Sequence, residues 1–325
     1  MKNVSNRLNV SIWMITYNHQ EFIGYAINSI LNQEFRHNFN IVIGEDCSKD
    51  NTREICLEYE TKFPDKIKVL DSTSNLGMID NFFRTLNHCS GDYIAMCEGD
   101  DYWIDPYKLQ KQVDFLEKNP DYGMVCTDYN RFYQQSGEVK KNCFRLKKYE
   151  SEVKFDDYIL DRSTIGTATV MFRKSLYDSY VRDIPDAIRR SFNVGDTPMW
   201  LYFALKSRIG VLPDVTAVYR ILGDSACHFT SPHQHYNFVN KGFEVPDYFI
   251  SNYNVSDRVR ILNEQKKYKA GLMYAFKIRD KALFNHNFNS IKMLKLAVPL
   301  KFWFLRIGME SKYFYRIVKT LLKLN

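Results

Sequence analysis

The sequence predicts an α/β fold in which a mostly parallel central sheet has helices on both sides and is followed by a helical C-terminal extension. Short β-rich or apolar segments alternate with amphipathic segments over about the first 125 residues, a pattern typical of parallel strands joined by helices. Acidic and polar residues directly follow several of these strands. Because open α/β sheets bind ligands at the carboxyl ends of their strands, this edge is the expected functional site.

Each element is predicted from the spacing of its apolar residues, which alternate or run together in a strand and recur every three to four positions in a helix. The predicted strands are 9–16, 40–44, 66–70, 92–97 and 122–127, and the predicted helices are 22–31, 51–63, 77–88 and 106–118. After residue 129 the pattern weakens, with a polar excursion at 131–152, strand-like segments at 167–173 and 209–219, and a helix at 196–206. A turn is expected at Pro213, and helices are expected from about residue 256 to the end.

Positive charge is concentrated in the last part of the chain. Residues 257–325 contain 16 Lys and Arg against four Asp and Glu, a net charge of +12, which leaves −5 for residues 1–256. We therefore expect two domains, 1–240 and 241–325. Aromatic residues are interleaved with the basic ones, so the extension is expected to contact an anionic membrane surface. A packed helical cap with a solvated basic face is the alternative, and no nucleic-acid-binding module accompanies the charge.

The cysteines and the apolar runs indicate a cytoplasmic protein. Seven cysteines without a CxxC pair favour reduced thiols over a disulfide framework or a zinc site. The first residues lack the apolar core of a signal peptide, and no uncharged apolar run reaches the ~18 residues of a membrane span. A cytoplasmic location, with peripheral association at the inner face of the membrane, is the expectation.

Three carboxylates lie within four residues directly after the fourth predicted strand. Glu98, Asp100 and Asp101 would repel one another unless a cation were bound, and oxygen-only ligands suit Mg²⁺ or Mn²⁺. The alternative for such a triplet is that one acid caps the following helix while the others are solvated. Two further acidic segments accompany it, 45–52 after a strand and 195–200 at the start of a helix.

Four motifs taken together resemble glycosyltransferase family 2, whose members are inverting enzymes with the GT-A nucleotide-diphospho-sugar transferase fold. In chain order the motifs are VSIWMITYNHQEFIGYAINSILNQ, IVIGEDCSKDNT, NLG and GDYIAMCEGDDYW. The resemblance covers roughly residues 9–220 and leaves the basic extension uncovered.

The resemblance implies a nucleotide site formed by the loops after the first two strands. Thr16, Tyr17 and Asn18 stand where the family contacts the nucleotide base and ribose. Asp46 matches the acid that accepts a ring N–H of the base, a contact that favours uracil. Asp50 aligns with the second acid of that loop, and a turn or N-cap role is its alternative.

The resemblance also implies where the diphosphate and the metal bind. Glu98, Asp100 and Asp101 occupy the D-x-D position, at which Mn²⁺ or Mg²⁺ would neutralise the charge of the departing diphosphate. Asp100 and Asp101 are expected to contact the ribose and the metal between them, and Glu98 replaces the more usual Asp. Arg220, from a late Tyr-Arg pair, would reach the diphosphate, and a surface ion pair is the alternative.

Asp196 stands at the position of the family's catalytic base. An inverting transfer needs one carboxylate to take the proton of the acceptor hydroxyl as that hydroxyl attacks the anomeric carbon. An N-cap role is the alternative for Asp196. Gly195 precedes it where the family usually has Glu, a departure that bears on how the acceptor is positioned.

These residues predict a glycosyltransferase. It would move one sugar from a nucleotide diphosphate donor, UDP-linked, to a hydroxyl of a glycan or lipid-linked acceptor in bacterial surface polysaccharide synthesis. The alternative is a catalytically degenerate nucleotide-sugar-binding scaffold of a glycan assembly complex, against which the retained acids argue. A nucleotidyltransferase would carry a glycine-rich, basic phosphate loop near its N-terminus, whereas TYNHQEF contains no Gly, Lys or Arg.

Overall fold

A computed structural model describes residues 7–144, 151–161, 165–223, 231–295 and 297–321. The chain forms two compact units, Met1–Ser225 and Ala226–Asn325. The predicted domain boundary between residues 240 and 241 lies at the end of a helix of the second unit, Pro232–Lys241.

The first unit contains a mixed sheet. Its described strands are β1 (Asn9–Thr16), β2 (Asn38–Glu45), β3 (Ile67–Val69), β4 (Tyr93–Met96), β5 (Tyr102–Trp103), β6 (Tyr122–Tyr133), β7 (Glu138–Lys140), β8 (Glu152–Val153), β9 (Met171–Arg173) and β10 (Arg208–Ile221). Their order is β3-β2-β1-β4-β9-β6-β10-β5, and β7 pairs with β6 and β8 with β10. Strands β1 to β4 are parallel to one another, as are β6 and β10, while β9 is antiparallel between β4 and β6. The predicted fold class, with a mostly parallel sheet, is confirmed.

Helices connect these strands and continue through the second unit. In the first unit they are α1 (Ile23–Leu31), α2 (Thr52–Lys62), α3 (Met78–Asn87), α4 (Lys108–Lys118), α5 (Phe155–Leu160), α6 (Lys174–Asp183), α7 (Asp186–Ser191) and α8 (Asp196–Lys206). In the second unit they are α9 (Pro232–Lys241), α10 (Glu244–Asn252), α11 (Asp257–Ile278), α12 (Lys281–Met293), α13 (Leu300–Gly308) and α14 (Lys312–Leu321).

The structure differs from the sequence prediction where the polar pattern was weak. Strand β6 runs to Tyr133 and forms a hairpin with β7, so part of the expected polar excursion is strand, and its residues 145–150 lie outside the described residues. The strand-like segment 167–173 divides into a 3₁₀ turn, Thr167–Thr169, and β9. Pro213 lies at a register shift of β10 rather than at a turn, since a bulge tolerates a residue without an N–H donor.

Among the described residues, the core beneath the sheet's carboxyl edge is aromatic and contains one buried amine. The indole of Trp13 donates to the carbonyl of Phe82 (3.0 Å) and that of Trp103 donates to the carbonyl of Ala168 (2.9 Å). The ammonium of Lys108 lies 4.3 Å from the centre of the Trp103 ring, and burial lowers the pKa of Lys108 to about 7. The loop that follows β4 therefore leads into Trp103, whose side chain is fixed by packing in this core.

The second unit is helical, as predicted for the extension. Its helices α11 to α14 share one buried cluster, whose members are Leu272, Ala275, Phe276, Phe284, Phe288, Ile291, Phe302, Leu305, Met309 and Val318. Helix α11 begins after Ser256, whose hydroxyl accepts from the amide of Val259 (3.4 Å), an N-cap interaction. No helix within the described ranges is both long and apolar enough to cross a bilayer.

The tight entry into β4 leads to a stability prediction. A Cβ added at Gly91 would lie 2.6 Å from the amide nitrogen of Ser11 and 2.7 Å from the carbonyl oxygen of Asn9. Because main-chain atoms of a sheet do not yield as a flexible side chain does, Gly91→Ala is expected to lower the free energy of unfolding by about 1–3 kcal/mol.

The matched control is Gly24→Ala in α1, where the nearest atom would be 3.6 Å away, an ordinary contact. That change is expected to raise the free energy of unfolding by up to about 1 kcal/mol, since alanine favours a helix more than glycine does. Urea denaturation measures both, and equal midpoints for the two variants would contradict the predicted crowding at Gly91.

Candidate active site

Main-chain hydrogen bonds bring together the loops that follow β1, β2 and β4. The amide of Asp46 donates to the carbonyl of Thr16 (3.1 Å), and the amide of Gly99 donates to the carbonyl of Ile15 (2.9 Å). Because β1 lies between β2 and β4 in the sheet, the end of β1 is the centre of this edge. The motifs predicted after the three strands are therefore neighbours.

The β1 loop is fastened to the β2 loop by Asn18. Its main chain is left-handed (φ 56°), a conformation that asparagine tolerates better than most residues. The Asn18 amide nitrogen donates to the hydroxyl of Ser48 (2.9 Å), and its side-chain carbonyl accepts from the amide of Lys49 (2.8 Å). Thr16 is buried and its hydroxyl bonds to Nδ1 of His19 (3.2 Å), while Tyr17 is half-buried beside them.

Asp46 is held by the turn that the NLG motif forms. One carboxylate oxygen accepts from the amide of Leu76 (2.8 Å) and the other from the amide of Gly77 (2.9 Å). The side-chain amide of Asn75 donates to the carbonyl of Asp46 (2.8 Å). Gly77 has φ +84°, a conformation that favours glycine. Each carboxylate oxygen can accept a second hydrogen bond, so Asp46 keeps the capacity to bind a ring N–H.

Asp50 holds the start of α2. Its Oδ1 accepts from the amide (3.0 Å) and the hydroxyl (2.5 Å) of Thr52, and its Oδ2 accepts from the amide of Gln20 (3.1 Å). Burial alone would raise the pKa of Asp50, but these hydrogen bonds together outweigh it and lower the pKa. The sequence left open whether Asp50 is the second acid of the nucleotide loop or a turn or N-cap residue. These hydrogen bonds show the turn role.

Glu45 is a buried residue of this edge that the sequence prediction did not assign. Its carboxylate accepts from the amides of Cys47 (3.2 Å) and Ser48 (2.7 Å) and pairs with Arg53 (3.1 Å). Arg84 donates to its carbonyl (3.1 Å). In the sequence, the only signal for Glu45 is its place directly before Asp46. Its structural role is visible only in the fold, where it pairs with Arg53.

The three acids after β4 have different surroundings. Asp101 is buried, and its Oδ1 accepts from the amide of Arg220 (2.8 Å). The Asp100 carbonyl accepts from Nε of Arg220 (2.8 Å), and its carboxylate lies 3.9 Å from Nε2 of His19. Oε2 of Glu98 is buried without a hydrogen-bond partner.

Arg220 is held in place by contacts on several sides. Its guanidinium donates to Oε1 of Gln134 (2.7 Å) and lies 4.6 Å, 5.2 Å and 5.6 Å from the ring centres of Phe22, Tyr102 and Phe132. The surface ion pair considered from the sequence is not formed in the described residues, because Arg220 bonds the main chain of the acidic loop instead.

Asp196 lies beside this acidic loop. Its Oδ1 accepts from the amide (2.6 Å) and the hydroxyl (3.2 Å) of Thr197, and its Oδ2 accepts from the hydroxyl of Thr167 (3.3 Å). The charge of Asp196 contributes to the raised pKa of Glu98, so the two carboxylates lie close enough to interact. Gly195, not Asp196, occupies the N-cap position of α8. Two carboxylates distant in sequence are thus brought near each other at this edge.

Packing around Gly195 leaves little room for a side chain at this position. A Cβ at this position would lie 2.7 Å from Cδ1 of Phe82. The Phe82 ring is itself packed edge-on against Trp13, with 4.7 Å between ring centres. A longer side chain at position 195 would have to displace this aromatic pair.

Burial raises the pKa values of three acids at this edge, Glu98, Asp101 and Asp196. Burial, and then the neighbouring Asp100 carboxylate, raise the pKa of Glu98 to about 8. Burial, followed by Asp100 and Glu98, raises the pKa of Asp101 well above its usual range. Burial also raises the pKa of Asp196, although the hydrogen bonds from Thr197 and Thr167 oppose it. The site therefore holds more acidic groups than its own cations balance.

The donor set fits a hard divalent cation only in part. Within the described ranges, no three His, Cys, Asp or Glu side chains are arranged together as a metal site. Asp101 is turned towards the main chain of Arg220, so the predicted set of three ligands is not assembled. Glu98, which has a buried unpartnered oxygen, and Asp100 carry carboxylate oxygens, the ligand type that Mg²⁺ or Mn²⁺ prefers.

Comparison with known proteins gives one matching family. The family model for glycosyl transferase family 2 matches residues 11–179. An uncharacterized protein of Mycobacterium tuberculosis is 33% identical over 65% of this chain, and the putative glycosyltransferase EpsE of Bacillus subtilis is 36% identical over 60% of it. The putative teichuronic acid biosynthesis glycosyltransferase TuaG of Bacillus subtilis is 30% identical over 50%. The chain covers 58%, 66% and 61% of these relatives' own lengths, respectively.

Solved structures share the fold. TarS of S. aureus in complex with UDP-GlcNAc has a TM-score of 0.61 at 19% identity, over 97% of this chain and 92% of that chain. The mannosyltransferase PcManGT of Pyrobaculum calidifontis, in complex with GDP-Man and Mn²⁺, has a TM-score of 0.61 at 14% identity, over 99% and 89%. The GT-A fold expected from the sequence is confirmed.

The raised pKa of Glu98 predicts how stability depends on pH in the absence of divalent metal. The folded chain keeps the proton of Glu98 up to about pH 8, whereas the unfolded chain loses it near pH 4.5. This proton therefore favours the folded state at low pH, and its contribution is lost as the pH rises through that interval. With a chelator present, wild type should lose more melting temperature between about pH 5 and 8 than Glu98→Gln, which is neutral throughout.

Glu58→Gln is the matched control because Glu58 is exposed on α2. Its melting curve should follow that of wild type at each pH. Parallel curves for wild type and Glu98→Gln would contradict the raised pKa.

Proposed function

The chain belongs to glycosyl transferase family 2, and we propose that it transfers a sugar from a UDP-linked donor to a hydroxyl of a glycan or lipid-linked acceptor, with inversion at the anomeric carbon. The observation that carries this proposal is the position of Asp196, which the hydroxyl of Thr167 holds and whose charge raises the pKa of Glu98 in the acidic loop after β4. Direct displacement of the diphosphate by the acceptor hydroxyl requires a base close to the loop that binds the diphosphate.

Asp196 is the proposed catalytic base. Its carboxylate takes the proton of the acceptor hydroxyl as the hydroxyl oxygen forms a bond to the anomeric carbon, while the bond from that carbon to the diphosphate oxygen breaks on the opposite face. The buried environment that raises the pKa of Asp196 makes it a stronger base than an exposed aspartate. Thr167 and Thr197 orient it through three hydrogen bonds.

The nucleotide is proposed to bind across the β1 and β2 loops. Asp46 accepts a ring N–H of uracil, and Thr16, Tyr17 and Asn18 contact the base and ribose. Support comes from the two main-chain amides that fix the Asp46 carboxylate, because a preorganised acceptor loses little entropy on binding. The fold shared with a UDP-GlcNAc complex also supports the choice of UDP.

The leaving diphosphate is proposed to lie against Arg220 and a divalent cation. Glu98 and Asp100 would hold Mn²⁺ or Mg²⁺, which neutralises the negative charge of the diphosphate. Asp101 is proposed to act by positioning Arg220, whose amide it binds. The similar fold of a mannosyltransferase with bound Mn²⁺ supports this assignment.

The acceptor is proposed to belong to a bacterial surface polysaccharide. This rests on the family and on relatives such as TuaG, whose name refers to teichuronic acid biosynthesis. We place the reaction in the cytoplasm, with the protein associated with the inner face of the membrane. The net charge of +12 on residues 257–325 supports this location.

The donor site predicts a metal-dependent thermal shift. A ligand that binds only the folded state raises the melting temperature by mass action, so no acceptor is needed. UDP or a UDP-sugar with Mn²⁺ should raise the melting temperature, and the shift should shrink when a chelator replaces Mn²⁺. GDP, dTDP and their sugars serve as the comparison. No shift with any nucleotide would overturn the donor site, and an equal shift with chelator would overturn the metal.

The catalytic base predicts a loss of kcat without a loss of donor binding. Asp196→Asn should lower kcat by about 10²–10⁴-fold, the usual contribution of a positioned base, while the thermal shift with the donor is kept. Asp65→Asn, which removes an exposed carboxylate, is the control for charge and should retain wild-type kcat. Full transfer by Asp196→Asn would overturn the assignment, and donor binding without any transfer by wild type would favour the scaffold alternative.

A further inference from the structure

Helices α13 and α14 expose large apolar side chains along one side of each helix. On α13 these are Leu300, Trp303, Phe304 and Ile307, and on α14 they are Tyr313, Phe314, Ile317 and Leu321. Spacings of three, four and seven or eight residues place each set on a single helix face. We call these two sets the outer faces of α13 and α14.

The outer faces belong to folded helices. On the other side of α13, Phe302 and Leu305 are buried in the cluster of the second unit, and Val318 of α14 joins the same cluster. Trp303 and Phe304 nevertheless remain 41% and 52% exposed. Each helix therefore has two apolar sides, of which folding buries only one.

The surroundings of the outer faces are positively charged. Between residues 292 and 321 the basic residues are Lys292, Lys295, Lys301, Arg306, Lys312, Arg316 and Lys319. Glu310 is the sole acid there, and it pairs with Lys281 (2.6 Å). Within the part of the chain that the structure describes, none of the seven basic residues forms an ion pair with an acidic side chain.

We propose that the outer faces of α13 and α14 bind an anionic lipid bilayer, with both helices lying in the interface. An interfacial helix buries an apolar face at the boundary of headgroups and acyl chains, while Lys and Arg bind anionic headgroups. Aromatic residues such as Trp303 and Tyr313 are suited to this boundary because their rings are amphipathic. Helices of nine and ten residues are too short to span a membrane.

Charge favours a lipid surface over the other occupants. A second copy of the chain would bring two positively charged surfaces together, which costs free energy. A nucleic acid would satisfy the charges but would leave aliphatic side chains such as Leu300, Ile307 and Leu321 without apolar partners. The inference does not depend on the proposed transfer reaction, because it uses residues of α13, α14 and their flanks alone.

The test is flotation of the full chain with lipid vesicles. Vesicles of phosphatidylcholine alone are compared with vesicles that also contain phosphatidylglycerol. The apolar variant is Trp303→Ser with Phe304→Ser, and the charge variant is Lys312→Gln with Arg316→Gln. Leu57→Ser with Val139→Ser is the matched apolar control, because both residues are exposed in the first unit.

Wild type and the control should bind the anionic vesicles more strongly than the neutral ones, and added salt should weaken that binding. The apolar variant should lower partitioning by about tenfold or more, the loss expected for two large side chains that no longer leave water. The charge variant should bind the anionic vesicles about tenfold or more weakly than wild type, because about 1 kcal/mol is lost for each basic residue near the surface, and its binding to the neutral vesicles should not change. Circular dichroism and the UDP-dependent thermal shift verify that each variant is folded.

Three outcomes would overturn the proposal. The first is a folded wild-type chain that stays with neither kind of vesicle, and the second is an apolar variant that binds as wild type does. The third is evidence for a different occupant in the absence of vesicle binding. Light scattering would show a dimer that the Trp303→Ser with Phe304→Ser variant dissociates, or the chain would bind an oligonucleotide.

Discussion

The candidate site depends on acidic side chains buried at the carboxyl edge of the sheet. Glu98, Asp101 and Asp196 all lie where burial raises their pKa values, so each of them costs free energy to ionise. The protein offsets part of this cost with main-chain amides and with Arg220. The rest of the cost is what a divalent cation would relieve, so the crowding of these carboxylates would favour binding of a divalent cation.

The position of Arg220 follows from the path of β10. This strand runs parallel to β6 and antiparallel to β5, and its register shifts near Pro213 re-align the second half of the strand. Because β5 follows the acidic loop directly, its pairing with β10 brings the Arg220 amide to Asp101 across 119 positions of sequence. The register shift at Pro213, where a bulge accommodates the proline, therefore contributes to placing Arg220 beside the acidic loop.

The sequence was sufficient for the elements whose signals are local. The runs that predict β1, β2 and β4, and the acids after them, depend on neighbouring residues, and the structure contains them within a few residues of the predicted bounds. Long-range pairings had no such signal. The antiparallel insertion of β9, the contact of Arg220 with Asp101 and the pairing of Glu45 with Arg53 all depend on the tertiary fold. Asp50 is a different case. Its acidic motif is a local signal, but its carboxylate is used in hydrogen bonds to the nearby Thr52.

The closeness of Asp196 to the acidic loop has a basis in packing. A Cβ at Gly195 would lie 2.7 Å from Cδ1 of Phe82, so the Phe82 ring packs directly against the main chain at the start of α8. Phe82 is in turn packed edge-on against Trp13 of β1, with 4.7 Å between ring centres. Thr167 then holds Asp196 by a hydrogen bond to its Oδ2, and the Asp196 charge contributes to the raised pKa of Glu98. The aromatic pair and one hydroxyl thus bring the proposed base to the proposed metal-binding loop.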